Sequence, residues 1–448
     1  MTVAAQAPEG SADGAPVSYR YGWYTAIVLM VAYTLSFLDR QILTLMVGPI
    51  KADLGITDTQ FALLTGGAFA LFYTAMALPM GWMADRYPRK WIIAAGISVW
   101  SLATGACALA RTFPALMAAR ICVGVGEATL SPSAYSLLRD RFDDTRLPRA
   151  MSIYSLGIFI GAGTALILGG IIVGALETTP YVTFPLLGTY KSWHAVFLII
   201  GPPGLLIALW VATLREPARK KTIDKVDTGS FSLTVIGQFL GKWPLMGVSL
   251  FIGAGFLSIL SYLDAWYPEL FIRMHGWKAD EAGWVNGLAS LTAGPAGMVF
   301  AGWYSSRCIA RGQVDACIMM ATVCAIGLSI FGTLMPLMPN ATLMAVMIWP
   351  IKFFGGFNPV LIPAAVQMIA PHNLRAQLGA LFLLSTGILG TALGPIVPAA
   401  MSDYIIMDES KLNISIAITA AIVGPITAIL LTVGRRQFRE RVAAMRAG

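Results

Sequence analysis

Long apolar runs separated by short polar breaks dominate residues 24–434 of this 448-residue chain. A run of about 20 mostly apolar residues is the length of a helix that crosses a bilayer. Twelve such helices are predicted, over 24–48, 59–84, 90–110, 113–138, 149–175, 193–213, 243–272, 281–305, 314–336, 341–370, 376–402 and 412–434. A membrane barrel would show alternating strands of about ten residues instead. The first twenty residues are small and polar. They lack the basic segment, apolar stretch and cleavage site of a signal peptide, so a disordered tail is expected over 1–20.

The pattern is written twice. Gly55, Gly66, Gly81 and Arg86 recur as Gly276, Gly287, Gly302 and Arg307, each 221 positions later. Ser36-Phe37-Leu38-Asp39 recurs as Ser261-Tyr262-Leu263-Asp264, Pro132 as Pro363, and Arg149-Ala150 as Arg375-Ala376. A duplicated half predicts two similar six-helix bundles, 21–213 and 243–434, with a cavity between them near mid-membrane. A polar linker, 214–242, joins the bundles, and a basic tail, 435–448, follows the second. That tail has an amphipathic pattern, but a solvated stop signal is the favoured reading. Residues 176–192 form the longest external loop, either an ordered cap or irregular. Gly157 with Gly161, and Gly390 with Gly394, have the spacing that lets helices approach closely. Pro132 and Pro363 predict matched kinks.

Composition agrees. Charged residues are 12% and the mean hydropathy is +0.71, whereas a soluble domain carries about 25% charge. Charge also predicts orientation. If both termini are cytoplasmic, Lys51, Arg111, Lys191, Arg273, Lys278 and Lys411 are the basic residues outside. Arg40, Arg120 and Lys352 lie within helices, and all other Lys and Arg fall inside, as the positive-inside rule requires. The net charge of +8 therefore reports topology and contact with anionic membrane lipids, not nucleic acid. Cys107, Cys122, Cys308, Cys317 and Cys324 have no metal-like spacing and are expected to be free, packed thiols. His194, His275 and His372 are isolated, so no metal site is expected.

Gly81-Trp82-Met83-Ala84-Asp85-Arg86-Tyr87-Pro88-Arg89-Lys90 joins helices two and three. It resembles the signature loop of the major facilitator superfamily, G-x-x-x-D-R-x-x-R-K, at the place where that family carries it. The degenerate copy Gly302-Trp303-Tyr304-Ser305-Ser306-Arg307 joins helices eight and nine, where the family keeps its second. Physically the loop reads as a cytoplasmic latch. Asp85 can pair with a cation across the bundle interface, and Arg86, Arg89 and Lys90 can meet carboxylates or lipid phosphates. Such contacts would close the inner side. With Ser306 in place of an acid, the second copy should hold less strongly.

Six ionisable residues fall well inside predicted spans, away from their ends: Asp39, Arg40, Arg120, Glu127, Asp264 and Lys352. Each costs ~2.5–3.5 kcal/mol at a helix centre and needs a partner or a wet cavity. Arg120 and Glu127 lie two turns apart on one face of helix four, about 10 Å along it. Asp39 and Arg40 are neighbours on helix one and point about 100° apart. Asp39 can pair with Arg120 and Arg40 with Glu127, or the reverse. In the second half Asp264 mirrors Asp39, Ala265 replaces Arg40, Lys352 falls near the counterpart of Arg120, and Asn358 replaces Glu127. Asp264 with Lys352 is the candidate pair there. Phe256, Tyr262, Trp266 and Tyr267 supply aromatic surface on helix seven, as pocket or as core.

Asp39-Arg40, the run Arg120 to Glu127, and Leu130-Ser131-Pro132-Ser133-Ala134-Tyr135 resemble the spinster-type branch of that family. The resemblance implies a lipid-like anionic or zwitterionic substrate of the lysophospholipid or sphingolipid class, with proton coupling. It also implies that Asp39, Arg40, Arg120 and Glu127 form the coupling and headgroup cluster. Short tails and a compact chain without glycosylation-rich external loops suggest a bacterial member, expected in the inner membrane as a monomer. The alternative substrate is a small organic anion such as a sugar acid. A nucleotide loop and a grouped Ser/His/Asp set are missing, which argues against a primary pump and an enzyme. No cofactor is expected; protons are the expected coupling ion.

Overall fold

A computed structural model describes residues 19–142, 146–177, 179, 181–185, 188–217, 233–371 and 374–447. Residues 1–18 of the expected tail, most of the polar linker and His372 lie outside them; Tyr19 and Arg20, expected in the tail, are helical. Among the described residues twelve long helices run antiparallel. They are α1 (Arg20–Leu45), α2 (Asp58–Ala84), α3 (Arg89–Cys107), α4 (Phe113–Arg141), α5 (Arg149–Leu176) and α6 (Ser192–Ala212) in the first half. The second half has α7 (Pro244–His275), α8 (Ala279–Ala310), α9 (Ala316–Leu337), α10 (Ala341–Ile369), α11 (Gln377–Ile406) and α12 (Leu412–Val433). Eleven are long and apolar enough to cross a membrane. The eighth, α8, is long enough, but its Gly, Ala and Ser lower its apolarity. An even number of helices puts both termini at one end, here the near end; the opposite end is the far end.

The repeat is visible in backbone geometry. Gly55 and Gly276 both adopt left-handed conformations, with φ of 63° and 65°, and both close a helix at the far end. That conformation is strained for any residue with a Cβ. After Asp39-Arg40, α1 tightens into a 3-10 turn over Ile42–Leu45; α7 does the same over Leu263–Trp266, at Asp264. Helix α4 breaks at Ala128 and Thr129. Pro132 cannot donate to the carbonyl of Ala128, four residues earlier, and its ring crowds that carbonyl. The matching break in α10 falls at Gly356 and Phe357. Pro359, not Pro363, sits four residues after Gly355 and explains its position.

The predicted glycine pairs pack helices within each half. A Cβ on Gly161 would lie 2.8 Å from Phe37 Cβ on α1, and one on Gly390 would lie 2.2 Å from Ser258 Cβ on α7. The seam between halves uses other glycines. A Cβ on Gly283 of α8 would meet the Leu166 carbonyl of α5 at 2.3 Å, and one on Gly66 of α2 would meet the Thr391 carbonyl of α11 at 2.6 Å. Small residues there let backbones touch. One apolar core belongs to the first half and contains Leu29, Trp100, Val123 and Leu137. The larger core runs from the second half across the far-end seam, joining Ile42 and Phe61 to Trp266 and Phe271.

Two peripheral elements are ordered. The loop between α5 and α6, at the far end, contains a hairpin, β1 (Tyr181–Phe184) paired antiparallel with β2 (Gly188–Lys191). The basic tail is not a solvated stop signal. Arg435–Ala447 is a helix docked on the second half. Its Phe438 is fully buried and Val442 nearly so, Gln437 Oε1 accepts from the Met246 amide at 3.0 Å, and Arg435 Nε donates to Asp315 Oδ2 at 2.8 Å. An apolar stripe at i and i+4 drives this docking. Phe438→Ala should destabilise the protein by ~3–5 kcal/mol, the cost of emptying a packed aromatic site. Thermal unfolding in detergent would show it; a wild-type midpoint would mean the helix is not docked.

Candidate functional site

Helices α1 and α4 bring the predicted charges together in the first half. Arg40 Nε donates to Glu127 Oε2 at 2.7 Å and Nη2 lies 2.5 Å from the same oxygen, which also accepts from Ser36 Oγ at 2.7 Å. Of the two pairings left open by the sequence, this is the one formed for Arg40. Asp39 does not complete the other as an ion pair. Its Oδ2 accepts from Thr104 Oγ1 of α3 at 3.1 Å, and Arg120 Nη1 reaches only its backbone carbonyl, at 3.4 Å. Asp39 and Arg120 are both buried, and among the described residues Asp39 Oδ1, Arg120 Nε and Arg120 Nη2 have no hydrogen-bond partner. The 100° between adjacent side chains of α1 turns Arg40 toward Phe69 and Tyr73 of α2 and Asp39 against α3.

Arg40 is ringed by aromatic faces. Its guanidinium carbon lies 5.0 Å from the Phe37 centroid, 4.6 Å from Phe69 and 4.9 Å from Tyr73. Tyr33 stacks on Tyr154 at 4.7 Å, and Tyr135 meets Tyr154 edge-on at 5.4 Å. Aromatic faces attract a cation and accept apolar ligand surface. The sequence reading looked for this surface on helix seven and missed it here. The correction is twofold. Trp266 and Tyr267 are buried in the core, where Trp266 Nε1 donates to the Pro395 carbonyl at 2.9 Å, and Phe256 is half-buried; Tyr262 is exposed. The missed signal was the spacing of Tyr33, Phe37 and Arg40, at i, i+4 and i+7 on one helix face.

In the second half Lys352 Nζ lies 2.7 Å from Asp264 Oδ2, the expected pair. Asn358 Nδ2 donates to Ser258 Oγ at 3.2 Å and to Ser261 Oγ at 3.3 Å. Ser261 is the counterpart of Ser36 and Asn358 that of Glu127. The contact between the two elements is therefore kept with its donor and acceptor exchanged.

The near-end loop copies are alike in one respect. Arg86 lies over the Trp82 ring at 3.9 Å and Arg307 over Trp303 at 5.6 Å. Gly81 leaves open space where a Cβ would stand. The Asp85 side chain lies outside the described residues. Arg89 bonds within its own half: Nε to Glu216 Oε1 at 2.8 Å, Nη1 to Ser136 Oγ at 3.0 Å, and a further ion pair to Asp140. The Arg89 and Lys90 amides, at the start of α3, donate to Glu216 at 3.1 Å each. Arg89 and Lys90 are thus engaged with Glu216, and the closing contact expected of Asp85 falls outside the described residues. The equivalent tie in the second half is charge-reversed: Asp315 at the start of α9 holds Arg435 after α12.

Burial pushes the Glu216 carboxyl up, but its bonds from Arg89 and the two amides outweigh this and hold it below the usual carboxylate range. Its stabilising contribution is present above the ordinary pKa and is lost as pH falls through the depressed one. Glu216→Gln should flatten the acid-side fall of the thermal midpoint below about pH 4.5. Parallel acid-side curves for the variant and the wild type would contradict this.

Among the described residues the bonds between the halves lie at the far end. Arg273 of α7 grips Asp58 of α2 with two hydrogen bonds, Nη1 to Oδ2 at 2.8 Å and Nη2 to Oδ1 at 3.1 Å. Lys51 pairs with Asp58 and with Glu409 Oε2, the latter at 2.7 Å. Arg273 Nη1 also donates to the Glu409 carbonyl, and Nη2 to Glu269 Oε1 at 3.0 Å. The Thr59 amide donates to Asp403 Oδ2 at 2.7 Å. Carboxylate oxygens of Asp58, Asp403 and Glu409 lie within 4.8 Å of one another, but Lys51 and Arg273 supply the positive charge there.

Residues 29–395 match the family model described as Major Facilitator Superfamily. The chain is similar to an MFS-type efflux pump of Mycolicibacterium smegmatis, 24% identical over 87% of this chain and 86% of that one. It is also similar to a D-galactonate transporter of Escherichia coli, 22% identical over 92% and 96%. In fold it is similar to a bacterial homolog of the human lysosomal transporter spinster, crystallised in an inward-facing, unoccupied conformation. That likeness has a TM-score of 0.73 at 24% identity and covers 95% of this chain and 98% of the other. The matched span, the twelve helices and the duplicated loop place this chain in the Major Facilitator Superfamily, as a membrane transport protein.

Proposed function

We propose that this protein is a proton-linked secondary transporter that moves a lipid-like amphiphile by rocking-bundle alternating access. Both termini are taken as cytoplasmic, on the inner membrane of a bacterium, so that the far end faces outward and the halves part toward the cytoplasm. The observation that carries the reading is the Arg40–Glu127 pair, a partly exposed arginine side chain held by a buried carboxylate among Phe37, Phe69 and Tyr73. A proton on Glu127 removes the charge that holds Arg40. The guanidinium is then free to bind an anionic headgroup, while the rings accept apolar surface. Asp39, buried beside Arg120 without an ion partner, is a second place for a proton.

Uptake of lysolipids into proteoliposomes at two pH values tests this, with Glu127→Gln alongside. Transport that rises with an imposed proton gradient and fails in the variant supports it. A sugar acid is the second reading, favoured by the similarity to a galactonate transporter. Uptake of a sugar acid with no uptake of any lysolipid would replace the first reading by the second.

A further inference from the structure

We propose that Asp264 selects substrates that carry a cationic group as well as an anion. This rests on the lipid-like reading above and narrows it to zwitterions. The two halves each present an ion pair, but with opposite members open. In the first half the Arg40 side chain is 21% exposed and that of Glu127 is 0%. In the second, Asp264 is 25% exposed and Lys352 is 13%. One half offers a base to the space between the halves, the other an acid.

The inversion has a local cause. Residue 265 is alanine where the first half has Arg40, so no guanidinium shields the acid from its own helix. The base comes from α10 instead, and it takes only Oδ2. Among the described residues no group donates to Asp264 Oδ1. Asn358, in the place of Glu127, is occupied with Ser258 and Ser261 and brings no charge. An ionic group that is accessible inside a membrane span faces the bundle interior or a water-filled cavity, which assigns both exposed members to the space between the halves.

Each pair can take a third charge, opposite in sign to its open member. At Arg40 that is an anion, between Glu127 and solvent. At Asp264 it is an ammonium-type group on Oδ1, away from Lys352. A substrate with a single charge leaves one pole unmet when the site closes around it, and a desolvated charge without a partner is costly.

The test uses the purified full chain in proteoliposomes and two lysolipids with the same acyl chain. Lysophosphatidylethanolamine carries an ammonium group and lysophosphatidylglycerol does not. Asp264→Asn should lower the ratio of ethanolamine-lipid to glycerol-lipid uptake about tenfold or more, the effect of removing one charged hydrogen-bond acceptor. Asp264→Glu, which keeps the charge, should keep the ratio near that of wild type. If Asp264→Asn moves neither lipid, competition of the two for binding to the variant supplies the ratio. An unchanged ratio in Asp264→Asn, or the same fall in Asp264→Glu, overturns the assignment while the lipid reading stands. A wild-type protein that moves neither lipid but moves a sugar acid overturns both.

Discussion

Glu127→Gln is expected to abolish substrate accumulation driven by a pH gradient while exchange down a gradient continues. Glutamine keeps the size of the acid and one oxygen for Ser36 and Arg40, but it can neither gain nor lose a proton. It therefore imitates the protonated carboxyl permanently. Arg40 loses the charge that its Nε and Nη2 now share, at 2.7 and 2.5 Å. Breaking a buried pair is worth ~3 kcal/mol or more, so gradient-driven accumulation should fall by about a hundredfold. Asp39→Asn tests the second acid. Its carboxylate is held by Thr104 and lacks an ion partner, so the variant should fold and yet lose its dependence on pH. Uptake measured with imposed internal and external pH decides the matter. If both variants keep the wild-type pH dependence, proton coupling does not run through this cluster.

The second large effect belongs to the far end. Asp58 is buried and meets two cations, Lys51 from its own half and Arg273 from the other. Asparagine at 58 leaves both cations facing a neutral amide. The loss falls only on the state in which the halves touch here, because Arg273 and Asp58 part when this end opens. A bias of ~3 kcal/mol would shift the balance toward the open far end by about a hundredfold. Spin labels on cysteines replacing the exposed Ala52 and Tyr404 would read this as a longer distance in Asp58→Asn. An unchanged distance distribution would show that glycine packing along α5 and α8, and along α2 and α11, closes this end without the ion pairs.

The two clusters differ in how readily the sequence discloses them. Asp39, Arg40, Arg120 and Glu127 stand out because a charge inside an apolar run has few explanations. Asp58, Glu269, Arg273 and Glu409 sit at or near run ends, where charges are ordinary, and nothing local marks them as partners. Residues 58 and 273 are far apart in the chain and meet only when the halves close. The same holds for Gly283 and Gly66. Their spacing is unremarked within one helix, and their meaning comes from the carbonyl on the facing helix. The basic tail misled for a related reason. Its stripe of Phe438 and Val442 was legible, but whether a surface waited to cover that stripe was not.

From the chain alone came the membrane class, the twelve spans, the internal duplication, the family resemblance and the charged residues on α1, α4, α7 and α10. These follow from composition and periodicity, which are local properties and need no partner. The fold decided which acid meets which base, that Arg40 turns toward Phe69 and Tyr73 of α2 while Asp39 turns against α3, and that the halves are tied at the far end. It also decided that the second half shows its acid where the first shows its base. Those are outcomes of packing between segments remote in sequence, where one turn of a helix separates a buried charge from an accessible one.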